Sequence, residues 1–456
     1  MSSPHPAQAI DYTQSLCPHC LRVIEAKIIE RDGAVYMHKV CPDHGPMNLR
    51  IWPDADHYRW FNSFRFPFKK TQSQANSLPG CPLDCGLCPN HLRHSTLVEI
   101  EVTHRCNLSC PVCFMAAGQY QPPPDPSLET IHGMYASIYD RYGPDISIQL
   151  TGGEPTVRRD LPEILSIGHE MGFQWMEVNT NGLAMSHHPD YLRACREAGL
   201  SGVYLQFDGL TAGVYKQIRG ADLLNDKLRL IQICRTEGVP VVLAMTIIAG
   251  INDQQLGNLL DFALANLDVV CGLSLQPAFT SGRFESRRQR SLSMGDVIFL
   301  MAGQSNGRLV PQDFWPLSCS HPLCSSATHL LVDGDSVQPI TREITPAEYL
   351  ARTNPHSPQG SIFADIIAEL EAQGRSWPNG SNRGLSVMIS NYMDAGNMDL
   401  KRLRECSMTV TMADGRAIPF CAYHLTDVRG QRLYPPWGLK ATNVPDKQSD
   451  GISVLS

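Results

Sequence analysis

Three cysteines within one short stretch, Cys106-Asn107-Leu108-Ser109-Cys110-Pro111-Val112-Cys113, constrain this chain more than any other feature. Just before them, the run Leu97 to Thr103 alternates apolar and polar side chains, the period of a β-strand. Three thiolates on one loop at C-x3-C-x2-C spacing can hold three irons of a cubane [4Fe–4S] cluster. The fourth iron is then left without a protein ligand. A structural zinc ion would close its shell with a fourth side chain, so the missing ligand points to a metal kept open for chemistry.

From this loop to about residue 280 the pattern repeats as strand, loop, helix. Strand candidates are Leu97–Thr103, Asp145–Leu150, Gln174–Asn179, Gly202–Phe207, Val239–Thr246 and Val269–Leu275. Between them lie helical faces. Leu128, Ile131, Met134, Tyr135, Ile138 and Tyr139 share one behind a Ser127 N-cap, and Leu256, Leu259, Leu260, Ala263 and Leu264 share another. Alternation of this kind predicts parallel strands joined by right-handed crossovers. Six units are too few for a closed eightfold barrel. Thr151-Gly152-Gly153-Glu154-Pro155 follows the second strand, where glycines let backbone approach a ligand closely and where barrel enzymes bind substrates.

Most of the 16 cysteines fall in closely spaced groups, which suits metal binding in a reducing compartment better than a disulfide framework. Cys17-Pro18-His19-Cys20 and Cys41-Pro42-Asp43-His44 flank a predicted hairpin, Val23 to Ile29 and Ala34 to Val40, turning at Arg31-Asp32-Gly33. This is the layout of a zinc ribbon or a rubredoxin-like iron site, with either His44 or the more distant Cys81 as fourth ligand. Cys81, Cys85 and Cys88 repeat the C-x3-C-x2-C spacing and read as an auxiliary iron–sulfur site. Cys319, Cys324, Cys406 and Cys421 can close a further [4Fe–4S] site, the last two flanking a hairpin around Asp414-Gly415. Cys195, Cys234 and Cys271 read as core residues. Thirteen cysteines remain, two short of what one open cluster and three four-cysteine sites would take.

The aromatic run from Trp52 to Phe68 reads as packing of the N-terminal module onto the core, with an apolar substrate wall as the alternative. Residues 71 to 79 read as a polar linker, and the tail from Thr442 as loose. The formal net charge of −7 gives no electrostatic ground for a nucleic-acid partner. No secretory signal and no long apolar run is present, so a soluble, cytoplasmic protein without a membrane span is expected.

The cluster loop, followed one βα unit later by Gly152-Gly153-Glu154-Pro155, resembles the radical S-adenosylmethionine (SAM) superfamily. Val112 departs from the aromatic residue usual before the last cysteine of that motif. The resemblance implies an α/β fold built on a partial (β/α)6 barrel, with SAM chelated on the open iron. It also implies SAM contacts at Gly152, Gly153, Glu154, Asn179, Asn181, Gln206 and Asp208. Reductive cleavage of SAM to a 5′-deoxyadenosyl radical would follow, with an electron donor such as flavodoxin or ferredoxin. Catalytic residues beyond these are not indicated.

From Cys17 to Cys421 the arrangement is similar to one branch, the archaeal tetraether lipid synthases and the class D radical SAM methyltransferases. The expected order is an N-terminal ribbon (1–70), an auxiliary cluster segment (71–95), the barrel (96–290) and a cysteine-bearing extension (291–456). The expected reaction is C–C bond formation or methylation at an unactivated C–H carbon of a lipid or small-molecule substrate. Lipid coupling predicts a long apolar tunnel. Methylation of a pterin precursor predicts a compact polar pocket with stacking aromatics. A non-enzymatic iron–sulfur electron carrier would need no SAM site, and a zinc-ribbon nucleic-acid binder would explain residues 17–44 alone.

Overall fold

The computed structural model describes residues 8–68, 81–83, 85, 86, 88, 90–117, 122–284, 291–333, 336–353, 362–372 and 384–434. The linker at 71–79 and the tail from Thr442 lie outside these residues.

The N-terminal ribbon is a four-stranded antiparallel sheet in the order β1 (Gln8–Leu16), β2 (Val23–Arg31), β3 (Ala34–Cys41), β4 (Gly45–Trp52). The β2–β3 hairpin turns at Asp32 and Gly33, with φ of +52° and +73°. Two successive left-handed residues match the right-handed twist of the strands. Lys39 of β3 is buried, and its ammonium donates to Ser15 Oγ (3.0 Å), Leu16 O (2.7 Å), Ala395 O (3.0 Å) and Gly396 O (2.7 Å). These bonds fasten the ribbon to the far end of the chain.

The central parallel strands are β5 (Leu97–Thr103), β7 (Ser147–Gly152), β8 (Met176–Thr180), β9 (Gly202–Gln206), β10 (Val241–Ile247) and β11 (Val270–Pro277). They pair in chain order, as the strand–helix alternation predicts. A two-residue strand, β6 (Val112–Cys113), lies in the cluster loop and pairs with β12 (Arg283–Phe284). The extension adds β13 (Trp315–Pro316), β14 (Ser325–Asp333), β15 (Ser336–Pro339), β16 (Leu385–Ser390), β17 (Met408–Thr411) and β18 (Ala417–Pro419). Of these, β16 runs parallel beside β11 and β17 parallel beside β5. Among the described residues the sheet thus has eight parallel strands, two more than the sequence pattern predicts, and β16 and β17 build both flanks of the barrel.

The alternation in these strands separates two environments. Val98, Ile100 and Val102 of β5 are completely buried in the main hydrophobic core, which also takes in Ile148, Leu150, Val178 and Leu205 from the neighbouring strands. Ile131, Met134, Tyr135 and Ile138 of the helix Leu128–Tyr142 join it, while Leu128 and Tyr139 stay exposed at the margins of that helical face. Each buried aliphatic side chain contributes about 1.5–3 kcal/mol. The opposite faces of the strands are polar: Glu99 pairs in register with Gln149, Gln149 with Glu177, and Glu177 with Gly202. These polar residues line the interior of the barrel.

The aromatic run packs as the sequence predicts. Trp52, Tyr58 and Phe61 join the main core, and Phe64 and Phe66 pack against Trp315 and Tyr349. Among the described residues, no helix is long and apolar enough to cross a membrane.

Candidate functional site

The loop after β5 is positioned by the glycine pair after β7. Gly153 N–H donates to Thr103 O (2.8 Å) and Glu154 N–H to Arg105 O (2.9 Å). A Cβ on Gly152, whose φ is +133°, would lie 2.1 Å from Thr103 O, and one on Gly153 would lie 2.2 Å from Arg105 O. Only glycine permits this approach. Three further anchors hold the loop. Asn181 Nδ2 donates to Asn107 Oδ1 (2.7 Å), Arg219 Nη1 to Val112 O (3.3 Å) and Arg283 Nε to Cys110 O (2.6 Å).

A cavity of about 130 Å³ opens over this loop, lined by Cys106, Cys110, Cys113, Gly152, Gly153, Glu154, Asn179, Asn181, Gln206 and Arg219. Burial pushes the Cys106 thiol up to about 12. Burial also raises Cys110, with the Arg219 guanidinium pulling it part of the way back. Thiolates here therefore need the positive charge of a bound metal, and a three-thiolate set fits an open [4Fe–4S] cluster.

Glu154 is a strut within this cavity. Its Oε1 accepts from Thr156 N (3.1 Å), Thr156 Oγ1 (2.5 Å) and Thr180 Oγ1 (2.6 Å), and its Oε2 accepts from Asn181 N (2.7 Å). The carboxylate thereby fixes the end of β8 against the glycine pair.

Asp208 departs from the expectation of a direct SAM contact. It is completely buried and does not line the cavity. Both of its oxygens take Arg219, Oδ2 from Nε (2.6 Å) and Oδ1 from Nη2 (2.8 Å). Arg219 reaches the cavity in its place. No local sequence signal marks Arg219; only the polar residue Asp208, eleven positions earlier, hints at a partner.

The ribbon brings Cys17, Cys20, Cys41 and His44 together, with all four ligand atoms within 4.8 Å of one another. His44 Nδ1 stands 3.5 Å from both Cys17 Sγ and Cys41 Sγ, and hydrogen bonding from His44 draws Cys41 down to about 6. A closed Cys3His set fits zinc. His44, not Cys81, completes this site. Thirteen cysteines then divide into sets of three, three, three and four, and His44 makes up one of the two missing ligands.

Cys81, Cys85 and Cys88 are buried together beside Tyr434, whose hydroxyl accepts from Cys85 N (2.7 Å). A hydrogen bond from Cys85, reinforced by the charge of Arg404, draws Cys81 down to about 6. Cys319, Cys324, Cys406 and Cys421 line a second cavity of about 530 Å³ near the N-terminal ends of the barrel strands. Tyr204 lines both cavities. Aromatic rings line the two cavities as well: Phe114, next to Cys113, packs 5.7 Å from Phe279 and 5.8 Å from Phe420, which precedes Cys421. Cys195 and Cys234 are completely buried core residues, and the partly buried Cys271 directs its thiol to Val241 O (3.5 Å).

Residues 100–263 match a family model described as the radical SAM superfamily, and residues 9–53 match one described as the HMPTM N-terminal zinc ribbon domain. The 7,8-dihydro-6-hydroxymethylpterin dimethyltransferase of Methanocaldococcus jannaschii is 33% identical over 470 aligned positions, covering 90% of this chain and 93% of that protein. A probable GTP 3′,8-cyclase of Archaeoglobus fulgidus is 33% identical over 168 positions, 37% of this chain and 54% of its own length. Among solved structures, Streptococcus suis SuiB bound to its precursor peptide SuiA gives a TM-score of 0.43 at 13% identity, covering 73% of this chain and 61% of that one. That likeness is too low to argue from.

Proposed function

This chain belongs to the radical SAM superfamily, and from that footing we propose that it methylates carbon of a dihydropterin, 7,8-dihydro-6-hydroxymethylpterin being the substrate to test. The observation that carries the reading is the match to the M. jannaschii dimethyltransferase, which spans nearly the whole of both proteins and includes the ribbon. The polar barrel interior supports it. Lipid coupling needs a long apolar tunnel, and the inward row Glu99, Gln149 and Glu177 is hostile to one.

When bound, the cluster and SAM supply radical chemistry at an unactivated C–H carbon. Cys106, Cys110 and Cys113 hold the cluster in this reading. Gly152, Gly153, Glu154, Asn179, Asn181 and Gln206 form the SAM seat, and Asp208 acts through Arg219. Cys17, Cys20, Cys41 and His44 take zinc. Cys81, Cys85 and Cys88, and separately Cys319, Cys324, Cys406 and Cys421, take auxiliary clusters. The expected division into ribbon, cluster segment, barrel and extension assigns one metal site to each part. A small-molecule substrate and a reductant complete the reaction.

The test is expression in a bacterial host that makes the dihydropterin itself. Extracted pterins are oxidised to their fluorescent form and read by mass spectrometry, with Cys106→Ala as control. Singly and doubly methylated 6-hydroxymethylpterin is the expected product. Iron-loaded protein that releases 5′-deoxyadenosine but leaves every pterin unmethylated would overturn the reading.

A further inference from the structure

The second cavity has two chemically different ends. Cys319, Cys324, Cys406 and Cys421 make a sulfur end, whereas Gln149, Glu177, Tyr204 and Trp175 make a polar and aromatic one. At about 530 Å³ it has far more room than a cubane cluster fills.

Glu177 is the unusual group here. It is partly buried on the cavity wall, and burial raises its pKa. The one hydrogen bond it receives from a side chain is a long one, Gln149 Nε2 to Oε2 at 3.4 Å. A carboxyl group left this way inside a protein is costly unless a ligand brings donors to it. Space for one is the cavity itself, which Gln149, Glu177, Trp175 and Tyr204 line.

We propose that Glu177, with Gln149, is the specificity-determining pair that reads the 2-amino-4-oxo edge of a pterin bound in this cavity. The proposal rests on the pterin reading above. The carboxylate accepts from N3–H and from the 2-amino group, two parallel bonds to one acceptor. The Gln149 amide, released from Glu177, donates to the 4-oxo group. Trp175 and Tyr204 line the same cavity with aromatic surface for a flat bicyclic ring. Tyr204 is held upright, donating to Ser274 Oγ (2.6 Å) and accepting from Gln276 Nε2 (2.6 Å). Because Tyr204 also lines the cavity over the cluster loop, the edge of the ring remote from Glu177 faces toward the radical chemistry.

Equilibrium dialysis on the reconstituted protein tests this, with 6-hydroxymethylpterin and 6-hydroxymethyllumazine as probes. Lumazine carries oxygen in place of the 2-amino group. Wild type should bind the pterin at least about tenfold more tightly than the lumazine. Glu177→Gln should abolish that preference while SAM affinity and iron content stay unchanged. Gln149→Leu, which removes the amide donor from the cavity wall, should weaken pterin binding and keep SAM binding. If both variants bind pterin as wild type does, the pair is not the reader. If wild type binds neither probe, the pterin reading itself falls.

Discussion

Glu154 carries four hydrogen bonds on one carboxylate, so a single-atom change in it is informative. In Glu154→Gln one oxygen becomes an NH2 group. If that group faces Asn181, it meets the Asn181 N–H now bonded at 2.7 Å; turned the other way, it meets the Thr156 N–H bonded at 3.1 Å. The first orientation removes one charge-assisted bond and the second disturbs the three that Oε1 accepts, and each sets two N–H donors face to face. A bond of this kind contributes about 1.5–3 kcal/mol. Asn181 also lines the cavity and anchors the cluster loop through Asn107, so its displacement is felt at the SAM seat. A loss of about 2 kcal/mol corresponds to roughly 30-fold weaker SAM binding. The cluster itself should remain, because the three cysteines and the Arg219 and Arg283 anchors are untouched. Calorimetric titration of SAM into reconstituted protein, with iron and sulfide counted on the same sample, measures both quantities. SAM affinity within about threefold of wild type, or loss of iron in step with affinity, would refute the strut argument.

The triple variant Cys106→Ala, Cys110→Ala, Cys113→Ala should make no 5′-deoxyadenosine with dithionite and SAM while retaining the other bound iron; nucleoside release by it would refute the loop assignment. Asp208→Asn strands a buried guanidinium and should destabilise the protein by about 3–5 kcal/mol, read as an earlier urea midpoint. The apolar pair Asp208→Leu with Arg219→Met should recover much of that stability but not SAM binding, and a double variant that binds SAM normally would exclude Arg219 from the seat. Stability should also fall on mild acidification. Burial lowers His91 to about 4 and His424 to about 3, against 6.5 for the unperturbed ring. Below 6.5 the unfolded chain takes up protons that the folded protein refuses, so stability is full above that pH and declines toward 4, by about 1.4 kcal/mol per pH unit for each ring. Melting curves between about pH 7.5 and pH 5.5 should show the decline, and His424→Gln should make it shallower; a flat profile in wild type would contradict the burial of these rings.

What could be read from the sequence was what local spacing encodes. The alternation of Leu97 to Thr103 gave the first strand at its observed limits, and the spacing of Cys106, Cys110 and Cys113 placed the three thiols on one loop. The glycine pair was legible because close backbone approach admits nothing else. Two kinds of feature were not. β16 and β17 are short, and their places beside β11 and β5 depend on pairing with residues more than a hundred and more than three hundred positions away respectively. Arg219 carries no motif and is identified by what it meets in space, Asp208. His44 was one of two fourth ligands that spacing left open, and its place 3.5 Å from two cysteines decides between them. Asp208 itself shows the limit of the family pattern. It holds the cavity-lining Arg219, and the pattern does not reveal whether a carboxylate touches the ligand or a neighbouring guanidinium. The polar alternation of the barrel strands was visible too, though nothing local distinguishes a lumen from a solvent face.

The covering of the cluster loop has a consequence for the order in which this protein is made. Its anchors include Arg283, which donates to Cys110 O and Ala117 O, and Gly282, which donates in turn to Thr426 Oγ1. Phe114 is capped by Phe420 and His424. All of these partners follow the three cysteines in the chain, Phe420, His424 and Thr426 by more than three hundred positions. Until those residues pack against Phe114 and Gly282, Cys106, Cys110 and Cys113 stand on a sheet with no roof. The loop is most open to a metal centre before that packing, and the packing closes it.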